Sequence, residues 1–216
     1  MDCRCSLLTR FAALALWFVP ALGHASAWRV DPHKLVEMAR GQVGMTVGYD
    51  PAYRVLAYPG GDVPRETGVC CDVVVRALRG LSIDLQKEVH EDMDAHFAQY
   101  PHLWQLSRPD KNIDHRRVPN LMTLFKRRGC EVPVSQRPED YLPGDVVTCL
   151  VGGTLPHIFI VSDRKTPGGV PLVIHNIGRG AQEEDILFQY KLTGHYRLGK
   201  AGEREQAALT SSPAPR

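Results

Sequence analysis

Two adjacent cysteines and two later histidines are the residues of this sequence best suited to nucleophilic chemistry. Cys70 and Cys71 open the segment "CCDVVVRALRG", and His157 and His175 stand in later, β-rich segments. A cysteine at a helix N-terminus faces the positive end of the helix dipole, which favours the thiolate and can lower its pKa from about 8.5 to roughly 3.5–7.5. Such a thiolate, with a histidine base and a group that orients the base, can attack a carbonyl carbon.

This chemistry requires a helix that begins at Cys70. The three consecutive valines of the segment favour a strand by themselves. The charged residues favour a helix instead, because Asp72 falls in the first turn, Arg76 follows as its i,i+4 partner, and Arg79 precedes Gly80 at the end. The sequence therefore predicts a helix from Cys70 to Arg79.

The remaining elements separate into helices first and strands afterwards. Helical spacing of apolar residues is present in "DPHKLVEMARGQVG", "SIDLQKEVHEDMDAHFAQY" and "VPNLMTLFKRRG". Short β-rich runs follow in "PGDVVTCLV", "PHIFIVSD", "PLVIHNIG" and "GHYRL", and one more short strand is possible near Tyr53–Ala57. This order predicts an α+β fold with the helices on one face of an antiparallel meander. If the strands that carry His157 and His175 are neighbours, their rings can approach each other beside the cysteine helix.

The N-terminal segment predicts export. Residues 1–27 combine arginines, the apolar run "FAALALWFVPALG" and the small residues "HASA", which together are typical of a signal peptide cleaved after Ala27. An uncleaved membrane anchor is the alternative. Cleavage would remove Cys3 and Cys5, leave no membrane anchor, and place the protein in the periplasm or outside the cell. Residues 28–199 are then expected to form one domain, and residues 200–216, which lack an apolar period, a disordered tail.

Composition excludes several other classes of protein. Without the leader the charges nearly balance and form no basic block, so no nucleic-acid partner is expected. Cys70, Cys71, Cys130 and Cys149 lack the paired CxxC spacing of a zinc site, so neither a metal nor a cofactor is expected. Cys71 points about a third of a turn away from Cys70, so we expect it to pack in the core and not to take part in the reaction. Cys130 and Cys149 could form a disulfide or could both be core residues.

The motifs also resemble a known family. In order, "YPGGDVPRETGVCCD", "YLPGDVV", "LPHIFIVSD" and "VIHNIGRG" resemble the NlpC-type cysteine peptidases of the papain-like clan. The blocks "GVC-x-D", "NIDHRRVPNL", "LPHI-x-IVSD", "HNIG" and "GHYR" are more similar still to an exported bacterial family catalogued as domain of unknown function twelve eighty-seven. Together these blocks cover most of residues 49–197.

The resemblance implies a papain-like, NlpC-type fold and a role for each matched residue. Cys70 would be the nucleophile, His157 the general base, and His175 the group that orients it. Tyr58 would support the oxyanion together with the Cys70 backbone amide. Asp72 and Asn176 flank the expected catalytic residues and are candidates for substrate contacts. The usual Asp-Cys-Ser-Gly of wall peptidases is Val-Cys-Cys-Asp here, so the substrate contacts of that segment cannot be transferred.

The block "NIDHRRVPNL" has two interpretations. Its aspartate can cap a helix and its arginines can form a solvated face. Alternatively, Arg116 or Arg117 lies at the rim of the cleft and binds a substrate carboxylate. The function expected from all these features is an exported thiol hydrolase that cleaves an amide bond, with peptidoglycan stem peptides as the substrate that the resemblance implies. A catalytically silent cell-wall-binding module and a thiol acyltransferase that acts on lipid are the alternatives.

Overall fold

The structure, a computed structural model, describes residues 28–199. The predicted signal peptide, with its cleavage point and its two cysteines, and the predicted tail lie outside the described residues. Four α-helices are present at or near the predicted positions: α1 Pro32–Arg40, α2 Cys70–Arg79, α3 Leu85–His96 and α4 Val118–Arg127. Single 3-10 turns span Phe97–Gln99, Asp114–Arg116 and Pro138–Asp140.

Local chemistry accounts for where the helices begin. The Asp31 side chain accepts hydrogen bonds from the backbone N–H groups of His33 and Lys34 and so caps α1. Helix α2 begins at Cys70 as predicted, but its charges pair differently. Asp72 pairs with Arg116 rather than with Arg76, whose guanidinium binds Asp62 and neighbouring backbone carbonyls. The predicted i,i+4 pair is therefore wrong, although the helix is present.

Five strands form an antiparallel sheet: β3 Val146–Val151, β4 Leu155–Lys165, β5 Pro171–Asn176, β6 Ala181–Glu184 and β7 Lys191–Tyr196. Their order is β6-β5-β4-β3-β7, so β3 to β6 form the predicted meander and β7 returns to the free edge of β3. Two short strands, β1 Gly48–Tyr49 and β2 Thr67–Gly68, pair in parallel just before α2. No strand forms near Tyr53–Ala57, where the sequence allowed one.

Apolar side chains bury both faces of the sheet. One cluster joins the helices to Val146, Ile158, Ile160 and Ile174, and it includes every apolar residue of α2. A smaller cluster around Phe159 covers the other face. The α+β class with helices packed on an antiparallel sheet is confirmed. Within residues 28–199 no helix has the length and apolar character needed to cross a membrane.

Candidate active site

The first turn of α2 places the Cys70 thiol at the floor of a cleft. Cys70 is 5% exposed and lines a cleft of about 210 Å³. As the first residue of the helix, its backbone N–H cannot bond within the helix. The preceding N–H, that of Val69, is bound by the Asp72 carboxylate at 2.6 Å, which is one half of a capping box. The nucleophile predicted from the sequence thus has the helix-terminal position that the chemistry requires.

The two predicted histidines lie together. His157 Nε2 is 3.2 Å from His175 Nδ1, and the rings meet edge to face. At the end of the sheet near Cys70, the last regular pair between β4 and β5 is Ile160 with Ile174. Both histidines lie just beyond this pair. Since Nε2 of His157 faces His175, the Nδ1 atom of the same ring is the one available to Cys70. His175 Nε2 is 3.1 Å from Glu184 Oε2 on β6, a contact that the sequence analysis did not anticipate.

The surroundings of Cys70 favour its thiolate. Hydrogen bonding to the Cys71 thiol contributes most, His157 and the backbone N–H of Ile158 add to it, and burial opposes it; together they lower the pKa of Cys70 from 9.0 to about 5. In contrast, burial first of all, together with the charge of His157, lowers the pKa of His175 to about 4. At neutral pH the site therefore combines a thiolate with a neutral His175.

Cys71 is both a core residue and a partner of the nucleophile. It is fully buried among the apolar residues of α2, as predicted. Burial and the neighbouring Cys70 raise its pKa well above 9.0, so it keeps its proton and can donate it to the Cys70 sulfur. Cys130 and Cys149 are free thiols, and burial raises their pKa values to about 11 and about 12. Cys70 is therefore the one cysteine among the described residues whose surroundings favour the thiolate.

A different tyrosine from the predicted one lies beside the thiol. The ring of Tyr58 packs against His90, with Lys111 above it, and does not line the cleft of Cys70. Tyr49 lines that cleft instead, because the parallel pairing of β1 with β2 sets it opposite Gly68, two residues before Cys70. Burial, then the charge of Cys70, raises the pKa of Tyr49 to about 12, so its hydroxyl remains a donor. The expected position of Tyr58 beside the thiol is therefore wrong, and Tyr49 is the tyrosine that lines the cleft.

Arg116 and Asp72 bind each other rather than a substrate. Their side chains are 2% and 3% exposed, and Arg116 Nη2 lies 2.9 Å from Asp72 Oδ2. The remaining Arg116 bonds go to the backbone carbonyls of Asp50 and Ala52. Because the guanidinium is occupied inside the protein, the prediction that Arg116 binds a carboxylate at the cleft rim is wrong. Asp72 likewise holds the start of α2 and is not a substrate contact.

Arg117 is the more exposed of the two arginines that line the cleft. Its guanidinium stacks 4.1 Å from the centre of the Trp104 ring and bonds to Asp114 at 2.8 Å. Trp104 is 46% exposed. Most of the cleft is apolar, and its lining comprises Tyr49, Pro51, Val69, Cys70, Trp104, Ile113, Arg116, Arg117, Val118, Pro119 and Pro156.

Asn176 supports the site from beneath. It is fully buried, and its amide group donates to the backbone carbonyls of Gly48 and Gly68 at 3.1 and 2.9 Å. Its side-chain oxygen accepts from the N–H groups of Gly178 and Gly180. All its hydrogen-bonding capacity is used, so the predicted substrate contact is corrected to a structural one that holds β1 and β2 against the end of β5.

Among the described residues, no group of three or more His, Cys, Asp or Glu side chains has an arrangement that could hold a metal ion. Residues that sequence reasoning missed are Tyr49, Trp104 and Glu184. The pairing of β1 with β2 identifies Tyr49 only once the fold is known. A carboxylate close to a histidine strand, in "AQEED", was the available signal for Glu184.

Comparison with known proteins gives three findings. A family described as "Domain of unknown function (DUF1287)" matches residues 36–198. "Uncharacterized protein YijF" from Escherichia coli (strain K12) is 58% identical over 163 residues, which cover 76% of this chain and 80% of that protein. The structure of NlpC1 from Trichomonas vaginalis has a TM-score of 0.41 and 14% sequence identity. That similarity covers 77% of this chain, which spans 44% of the NlpC1 chain.

Proposed function

The chain belongs to the DUF1287 family, and from the residues around Cys70 we propose that it is a cysteine hydrolase that cleaves an amide bond. The observation that carries this proposal is a cysteine whose pKa is lowered to about 5, at a helix N-terminus, next to two linked histidines and open to a cleft. Strongly shifted pKa values in a cleft are typical of catalytic groups.

In the proposed reaction, the Cys70 thiolate attacks the carbonyl carbon of the substrate. The negative charge that develops on the carbonyl oxygen is stabilised by the Cys70 backbone N–H and by the Tyr49 hydroxyl. His157 gives the proton received from the thiol to the leaving amine, the C–N bond breaks, and a thioester remains on Cys70. A water molecule then loses a proton to His157 and hydrolyses the thioester, which releases the acid and restores the Cys70 thiolate beside a protonated His157.

The substrate that we propose is a peptide of the bacterial cell wall, cut in the periplasm or outside the cell. The resemblance of the motifs to NlpC-type peptidases and the leader-like residues 1–27 support this proposal. The cleft of about 210 Å³ is smaller than the roughly 300–1,000 Å³ that is typical of small-molecule sites, so it suits one side chain of a peptide. Arg117 is the cationic group that we propose for binding a carboxylate of that peptide, through the N–H groups that it does not use for Asp114.

The two alternatives fit the site less well. A silent cell-wall-binding module has no need of a thiol with a pKa of about 5 beside a histidine. An acyltransferase that acts on lipid would form the same thioester but needs room for a long acyl chain, and the cleft is small. The two enzymes also differ in the acceptor of the acyl group, which is water for the hydrolase and an amine or an alcohol for the acyltransferase.

Product analysis tests the proposal. The purified protein and its Cys70→Ala variant are incubated with muropeptides, and the products are identified by mass spectrometry. We expect cleaved stem peptides with the wild-type protein only. If the stem peptides stay intact while Cys70 reacts readily with iodoacetamide, muropeptides are excluded as the substrate, but the proposal of a reactive thiolate still stands. A Cys70 that does not react near neutral pH would exclude the hydrolase itself.

A further inference from the structure

A carboxylate on the edge strand β6 contacts the end of the histidine pair. Across β5 and β6, His175 lies opposite Gln182, and Glu184 is two residues further along β6 on the same face. Oε2 of Glu184 is 3.1 Å from His175 Nε2, while its other oxygen, Oε1, binds Arg179. His175 is fully buried and the Glu184 side chain is 25% exposed. The carboxylate thus extends from the solvent boundary to the innermost histidine.

The contacts fix where the protons lie. An ionised carboxylate only accepts hydrogen bonds, so His175 Nε2 must carry a proton to donate to Glu184. Since His175 is neutral, its Nδ1 then holds a lone pair and accepts from His157 Nε2. His157 therefore has its Nδ1 atom left for the Cys70 sulfur, and a proton received there leaves a ring that donates at both ends.

The opposite arrangement would work against the thiolate. Without a carboxylate at Nε2, His175 is free to carry its proton on Nδ1, where it would point at His157 Nε2. The Nδ1–H of His175 and the Nε2–H of a protonated His157 would then face each other, with 3.2 Å between the two nitrogens. Because the positive charge of His157 supports the Cys70 thiolate, this arrangement would raise the pKa of Cys70.

We propose that Glu184 is a positioning residue of the active site. It holds His175 with its proton on Nε2 and so sets the direction of the hydrogen bonds that run from Glu184 through His175 and His157 to Cys70. The inference rests on the proposed function, since it adds a fourth member to the same site. Carboxylates that fix the tautomer of a histidine are common behind catalytic and metal-binding imidazoles. Here the carboxylate is supplied by a separate strand and acts through a second histidine.

The test measures the Cys70 thiol and the His175 tautomer directly. The rate of Cys70 alkylation by iodoacetamide is followed in the full chain from pH 4 to pH 9 by peptide mass spectrometry, and the nitrogen shifts of the His175 ring are measured by NMR. In Glu184→Ala we expect the midpoint of the alkylation profile to rise by about one pH unit, because this is the shift that the loss of one charge-assisted hydrogen bond produces. We also expect the His175 proton to move from Nε2 toward Nδ1.

Matched variants separate positioning from folding. Glu184→Gln retains an accepting oxygen and should keep the wild-type tautomer, whereas Glu184→Asp is too short to reach His175 and should behave like Glu184→Ala. Glu183→Gln alters the neighbouring carboxylate, which binds Arg40 and Ser162 instead of a histidine, and should leave the profile unchanged. An unchanged tautomer in both Glu184→Ala and Glu184→Asp, or an equal shift in Glu183→Gln, would overturn the proposal. The NMR result holds even if wild-type Cys70 proves unreactive, an outcome that refutes only the hydrolase.

Discussion

Replacement of Cys71 tests whether the thiol beside the nucleophile acts chemically or only packs. Hydrogen bonding from Cys71 is the largest contribution to the low pKa of Cys70. A hydrogen bond to a charged group contributes about 1.5–3 kcal/mol, and a thiol is a weak donor, so the lower end applies. Since one pKa unit corresponds to about 1.4 kcal/mol, Cys71→Ala should raise the pKa of Cys70 by about one unit, from about 5 to about 6.

Iodoacetamide measures this shift because it reacts with the thiolate. At pH 5 wild-type Cys70 is about half ionised and the variant would be about one-tenth ionised, so alkylation at Cys70 should slow by about fivefold. At pH 8 both forms are ionised and the rates should converge. Peptide mass spectrometry assigns the modified cysteine, and the high pKa values of the other three thiols within residues 28–199 keep their background low at pH 5.

A serine at the same position provides the opposite control. Cys71→Ser retains a donor, and an O–H is a stronger donor than an S–H, so the midpoint should stay at or below that of the wild type. Cys149→Ala removes another buried thiol, which interacts with Cys70 electrostatically and not through a hydrogen bond. This variant should leave the midpoint of the alkylation profile unchanged. The reasoning is refuted if Cys71→Ala matches the wild type, or if serine and alanine at this position give the same midpoint.

Two further comparisons test the corrected assignments, and a third variant tests the packing of the loop before Tyr49. Tyr49→Phe should lower kcat for the cleaved muropeptide by about a hundredfold, as the loss of an oxyanion donor does, whereas Tyr58→Phe should leave kcat unchanged. Arg117→Ala should raise KM for an acidic peptide by about tenfold. Arg116→Ala should instead lower the free energy of unfolding by about 3–5 kcal/mol in a denaturant titration. A raised KM in Arg116→Ala but not in Arg117→Ala would make Arg116 the one of the two that binds the carboxylate. Gly180→Ala should lower the free energy of unfolding by about 1–3 kcal/mol in the same titration, because a Cβ would meet backbone atoms of the loop before Tyr49 at a φ of +88°.

The sequence predicted the helix of the nucleophile and the two histidines because their signals are local. Asp72 near the start and Gly80 at the end set the limits of α2, and the apolar runs of β4 and β5 carry His157 and His175 in neighbouring strands. Neighbouring strands of a meander pair with each other, so proximity of the rings followed from chain order. The NlpC-type motifs strengthened the same assignment.

The missed residues depend on contacts between distant parts of the chain. Tyr49 reaches the cleft because two-residue strands pair across the segment that contains Tyr58, and no periodicity marks strands so short. The same absence of pattern hides β6, whose sequence AQEE has one apolar residue, and with it Glu184. Arg116 and Arg117 are adjacent in the sequence, and only the fold decides which of them is buried.

The burial of Arg116 has a consequence for the nucleophile. The carboxylate of Asp72 binds the Val69 N–H and so caps α2, but an unpaired negative charge two residues from a thiolate would raise the pKa of that thiolate. At Cys71 and at Tyr49 the two charges act in opposite directions, since Asp72 raises the pKa of each group and Arg116 lowers it. The pair thus lets a carboxylate cap the helix while its charge is balanced next to the site. We expect Arg116 to support the Cys70 thiolate in the same way, by balancing the charge of Asp72, and Arg117 is then the arginine that we propose for a substrate carboxylate.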